Sequence, residues 1–157
     1  MSFVDRNRKK NKVGGQFLAI PHAVLKSANF RELSAKAVKL LLDIGQHYNG
    51  NNNGDLEASW TTMSRLGWKS RDTLSAATKE LQHFGFIVRT RQGGRNKCNL
   101  YALTWVPIHD CGGKLDAGVN PTKVASNEWK QSRPAFKKMQ ARNPPTRHPI
   151  PVSMLLN

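Results

Sequence analysis

Apolar residues in this chain recur first at helical spacing and then at strand spacing. After Ser34, the positions Ala37, Val38, Leu41, Leu42, Ile44 and Gly45 mark one wide face, which predicts a largely buried helix. Ser34 can accept from the unpaired N–H groups of the first turn, and Leu33 can pack on Val38 as a staple. A second cap at Ser59 opens a short helix through Leu66, with Trp60, Met63 and Leu66 pointing inward. Gly67 suits the left-handed position that closes it. A third cap, Ser70, follows the tight turn "WKS". The helix it opens runs to Phe84, carries Leu74, Ala77, Leu81 and Phe84 on one stripe, and ends at Gly85. Its other side holds Arg71, Asp72, Ser75, Ala76, Lys79 and His83. Beyond Gly85, "FIVRTR" and "CNLYALTW" are rich in β-branched and aromatic residues. They flank "QGGRNK", whose glycines and asparagine suit a hairpin turn.

The flanks read differently. Residues 1–15, "MSFVDRNRKKNKVGG", are polar, basic and closed by a glycine pair, as expected of a flexible arm. An extended piece at Phe17–Ile20 and a brief helix from Pro21 through Leu25 precede the first strong helix. From Pro107 the chain becomes a basic, proline-punctuated tail, expected to be partly disordered. It has room for two short helices, near Pro121 and near Pro134, with Trp129, Phe136 and Met139 as docking points. The expected organisation is therefore an arm (1–15), a folded domain (16–106) and a tail (107–157).

Charge narrows the class of partner. Lys and Arg number 25 against 10 Asp and Glu, a net charge of +15 with a pI near 10.4, and both ends are more one-sidedly basic than the middle. An excess of that size points to a polyanion, with nucleic acid first. Two cysteines, Cys98 and Cys111, do not indicate a disulfide scaffold, and a reducing cytoplasm is the expected setting. The N-terminal basic residues have no apolar segment behind them, and the longest apolar run, "VKLLLDIG", is too short for a bilayer. No membrane role is expected.

Chemistry is sparse. No nucleophile elbow or metal dyad surrounds any Ser, His or Asp, so neither an enzyme nor a cofactor is expected. Cys98, His109 and Cys111 match no zinc spacing. "NGNNNGD" lacks the terminal glutamate of a calcium loop and reads as a turn. Tyr101 and Trp105 alternate on a strand, where closing the core is the simpler role for them than stacking bases.

Two helices joined by a tight turn form a helix-turn-helix, and the second one presents what a major groove accepts. Arg71 and Lys79 suit guanine or phosphate, Ser75 suits either, Ala76 can touch a thymine methyl, and Asp72 can accept from cytosine N4. Lys69, together with the N–H groups from Ser70 to Thr73, can hold a phosphate. On the hairpin, Arg89 and Arg91 share one side of the first strand, while Arg95, Asn96 and Lys97 form the tip. Cations clustered that closely repel one another unless a polyanion lies beside them.

The order of helix, helix-turn-helix and basic hairpin after "ELQHFGFIVRTRQGG" resembles a winged-helix DNA-binding domain. The family pattern of Leu, three residues, Gly, a hydrophobe and Ile leading into the wing falls on Leu81, Gly85, Phe86 and Ile87. "FLAIPHAVLKSANFRELSAKAVKLLLDI", followed by "YNGNNNGDL", is similar to small phage or mobile-element proteins and to the N-terminal domains of phage replication initiators. The resemblance spans about residues 16–106. It implies an α+β winged-helix fold, a three-helix core with a β-hairpin wing. The helix from Ser70 would enter the major groove of double-stranded DNA, with Arg89 to Lys97 on the phosphate backbone or in the minor groove. It also implies a transcriptional regulator or a replication-initiation factor in a bacterial cytoplasm, reaching replication or transcription proteins through its tail. The competing readings are a winged-helix protein-interaction module with an acidic partner and an RNA-binding protein. Oligomeric state is left open.

Overall fold

The computed structural model of the chain describes residues 14–137. The basic run of the N-terminal arm, and the tail from residue 138 with Met139, lie outside these residues. Five α-helices occur among the described residues: α1 (His22–Leu25), α2 (Ala28–Arg31), α3 (Ala35–Gly45), α4 (Trp60–Arg65) and α5 (Arg71–His83). Strands β1 (Leu56–Glu57), β2 (Ile87–Arg91) and β3 (Leu100–Leu103) form one antiparallel sheet in the order β1-β3-β2. The class is α+β.

The same device starts four of the helices. Ser27, Ser34, Ser59 and Ser70 each sit in extended backbone, and each hydroxyl accepts from the N–H three residues on, at Phe30, Ala37, Thr62 and Thr73. Three of these caps are the expected ones; α2 and its cap Ser27 are additional. α3 turns Ala37, Leu40, Leu41 and Ile44 into the core, whereas Leu42, expected inside, is 49 % exposed. At 100° per residue, Leu40 lies nearer the middle of that stripe and Leu42 at its edge. Across from it α5 contributes Leu74, Ala77 and Leu81, and the sheet adds Leu56, Ile87, Tyr101 and Leu103.

Three buried polar side chains fix how these layers meet. The Glu80 carboxylate on α5 accepts from the Ser34 backbone N–H at 2.6 Å and from its hydroxyl at 2.8 Å, tying α5 to the start of α3. Asn53, fully buried inside the expected turn, donates to the carbonyls of Leu103, Val106 and Pro107 and accepts from Leu103 N–H. Asn29 donates to the carbonyls of Phe84, Trp129 and Gln131. Each ties backbone groups of a distant segment into the core, at a net contribution of about 0.5–1.5 kcal/mol per hydrogen bond.

The chain beyond Val106 keeps packing on this core. Asp116 braces the outer edge of β2: its N–H donates to Thr90 O, and its carboxylate accepts from Gln92 N–H. A single 3-10 turn, Glu128–Lys130, buries Trp129, and Phe136 packs against the same cluster. The helix expected near Pro121 is absent, because Thr122 is drawn into a reciprocal pair with Ile108 through its N–H and hydroxyl. Pro134–Lys137 is not helical either. Gly85 has a φ of +76°, and a Cβ there would meet the Glu128 backbone at 2.7 Å, so glycine at this corner also lets the returning chain cross. No helix among the described residues is long and apolar enough to cross a membrane.

Candidate nucleic-acid interface

The turn between α4 and α5 is held from below. Gly67 takes a left-handed φ of +93°, and Trp68 then drops into the core and donates from Nε1 to Asp43 Oδ2 on α3 at 2.7 Å. Lys39 donates to Leu66 O at 3.0 Å and stands over the Trp68 ring. With its first turn fixed and its far side locked through Glu80, α5 has little freedom to rotate. Its outward ridge is Arg71, Asp72, Ser75 and Lys79, all exposed.

An open groove of about 320 Å³ runs along one flank of that ridge. Arg71, Ser75, Thr78, Lys79 and Gln82 line it from α5; Trp60 comes from α4, and Arg89, Asn99 and Tyr101 come from the sheet side. Among the described residues, no acidic side chain lines it. Two cations of α5 thus share a concavity with the first arginine of the hairpin. Arg71 does not hang free, since its guanidinium lies over the Trp60 ring at 5.1 Å. Thr78, Gln82, Trp60 and Asn99 were not among the expected contacts. Thr78 and Gln82 follow Arg71 and Ser75 at alternating steps of four and three residues, a spacing that marks them as neighbours on the helix surface.

The remaining expected residues are distributed as follows. Lys69 and Ser70 are exposed at the head of α5, and the Ser70 hydroxyl is engaged by Thr73 N–H. Thr73 and Ala76 line a separate hollow on the opposite flank, with Lys36, Glu80 and Phe136. Arg89 is exposed beside Tyr101 on β3. Arg91 instead folds back, donating from Nε and Nη2 to Cys98 O at 3.3 and 3.1 Å. A β-bulge separates these two arginines, and Thr90 between them is buried, with its hydroxyl donating to Gly54 O. Arg95, Asn96 and Lys97 are exposed at the tip, where Gly94 and Lys97 form a bridge and Asn96 takes a φ of +62°. Between tip and ladder, side chains replace backbone pairing: Asn99 Oδ1 accepts from Gly93 N–H at 2.6 Å, and Arg91 takes the Cys98 carbonyl. This is why β3 begins at Leu100 rather than at Cys98.

Cys98 lies under the hairpin, with its thiol donating to Glu57 Oε2 at 3.2 Å. Burial pushes that thiol up from its ordinary value, and the Glu57 carboxylate adds to the effect. Glu57 itself is held below its ordinary range, first by the hydroxyl of Thr62. His109 and Cys111 sit elsewhere: His109 Nδ1 accepts from Asn53 N–H, and the Cys111 thiol donates to His109 O. Tyr101 is buried, and Trp105 donates from Nε1 to Ala19 O.

No family model and no curated protein matches the chain. Among solved structures, one described as "N-Terminal domain of DNA binding protein" is similar at 23 % identity over 66 % of this chain and 82 % of that one, with a TM-score of 0.35. A likeness that distant fixes neither fold family nor ligand, so the functional reading rests on the geometry of this chain.

Proposed function

We propose that the chain is a winged-helix protein that binds double-stranded DNA in a sequence-specific manner, without catalysis. α4 and α5 act as the helix-turn-helix, and the β2–β3 hairpin acts as the wing. The observation that carries this reading is the acid-free groove in which Arg71, Ser75 and Lys79 of α5 stand beside Arg89. α5 with its side chains is about as wide as the major groove of B-DNA, about 12 Å. Seated there, its ridge meets base edges while Arg89 and the tip cations Arg95 and Lys97 meet phosphate. A net charge of +15 supplies the long-range attraction. Within this reading the protein serves as a transcriptional regulator or a replication-initiation factor of a phage or mobile element, and its C-terminal segment engages other proteins of those processes.

Selection from randomised duplexes tests it. The expected result is one enriched motif, bound at least about 10³-fold tighter than random duplex. An unenriched pool, or a preference for single-stranded or A-form RNA, would overturn it.

A further inference from the structure

The groove beside α5 holds more polar groups than its cations, and most of them are already committed. The Thr78 hydroxyl donates to Leu74 O at 2.9 Å, Asn99 Oδ1 accepts from Gly93 N–H at 2.6 Å, and the Arg71 guanidinium lies on the Trp60 ring. Gln82 is different. It lines the groove half-buried, and its side-chain amide has no hydrogen-bond partner among the described residues. No buried side-chain oxygen or nitrogen of these residues lacks a partner, so this amide stands open to the groove. At about 100° per residue Gln82 lies within about 20° of Arg71 around the α5 axis, and about 16 Å further along it. On a duplex that is about five base-pair steps of about 3.4 Å.

Chemistry separates Gln82 from the other free groups of the groove. Lys79 and Arg89 only donate, and their charge is drawn to phosphate as well as to bases; Ser75 offers a single oxygen. A glutamine amide sets one donor and one acceptor side by side in a plane. In the major groove only adenine presents the matching pair, its N7 acceptor and its N6 donor. We propose that Gln82 is a specificity-determining residue that reads an adenine through these two hydrogen bonds. The inference rests on the duplex reading above, with α5 in the major groove.

Selection from randomised duplexes with the wild type and with Gln82→Ala, followed by titration of the wild-type motif, tests this. The expected result is an adenine in the wild-type motif whose preference vanishes in Gln82→Ala while the rest of the motif persists. The variant should bind the wild-type motif about 5- to 150-fold more weakly. Placing 7-deazaadenine, which lacks the N7 acceptor, at that position should weaken the wild type and leave Gln82→Ala unaffected, a split that a structural role would not produce. Gln82→Glu keeps the shape of the side chain and reads the same question should the alanine variant fold poorly. Its carboxylate accepts from cytosine N4, so cytosine should replace adenine at that position. A wild-type motif without such an adenine, the same motif from wild type and variants, or an equal loss by wild type and Gln82→Ala on 7-deazaadenine overturns the role of Gln82 and leaves the duplex reading intact. No enriched motif with any of these proteins overturns both.

Discussion

The Arg71 guanidinium lies over the face of the Trp60 ring at 5.1 Å, across the turn that joins α4 to α5. A long exposed arginine would otherwise lose much rotamer freedom on meeting a ligand, and the ring reduces that loss by holding the group in place beforehand. Trp60→Leu keeps an apolar side chain while removing the π face. Affinity for the selected site is expected to fall by about 0.5–1 kcal/mol, with random-duplex affinity nearly unchanged. Titration against both duplexes checks this; an unaltered preference for the selected site would show that the stacking does not position Arg71.

The two arginines of β2 are expected to separate. Arg89 is exposed in the groove, so Arg89→Ala should weaken binding to every duplex and flatten the salt slope by about 0.9. Arg91 is occupied by Cys98 O, so Arg91→Ala should loosen the hairpin by about 1 kcal/mol, seen as faster amide exchange at Gly93 and Cys98 to Leu100. A salt slope altered equally by both changes would contradict this division.

Local features of the chain were legible without coordinates, and distant ones were not. Ser34, Ser59 and Ser70 were readable as caps because a cap bonds its own first turn, and the α5 stripe because helical periodicity is local. Glu80 reaches Ser34 across 46 residues, and Asn29 reaches Gln131 across 102, and no spacing rule announces either bond. Arg91 matches Arg89 in type and parity, yet the bulge and the Cys98 carbonyl give it a different task. The segment after Val106 resembles a tail because its composition is polar and proline-rich, yet Cys111 and Trp129 in it are buried. In the sequence Trp60 looks like core alone, because an inward ring and a platform for a cation have the same signature.

Glu80 should matter to the α3–α5 angle more than its single charge suggests. Glu80→Ala leaves the Ser34 N–H and hydroxyl without their partner, and a loss of about 1.5–3 kcal/mol is expected in denaturant unfolding. Glu80→Gln, which can still accept one of the two bonds, should lose less than half of that. Equal losses would mean that volume, not hydrogen bonding, sets the contribution.

Acid should weaken the base of the hairpin through Glu57. Its folded value lies below the ordinary 4.5, with the Thr62 hydroxyl as the leading cause. A depressed carboxylate contributes stability above its unfolded value, and the contribution is lost as pH falls through the folded one. Stability of the wild type should therefore decline with a steeper slope below pH 4.5 than that of Glu57→Gln. Parallel pH profiles for the two proteins would contradict the assignment.

The most direct measurement is the affinity of the Arg71→Ala/Lys79→Ala protein for the selected duplex and for random duplex, at one salt concentration. If the ridge of α5 reads bases, the selected duplex loses about 1–3 kcal/mol per missing base contact, while random duplex loses far less. Equal losses on both would show that α5 is a surface of charge alone, and the account of sequence reading would fail.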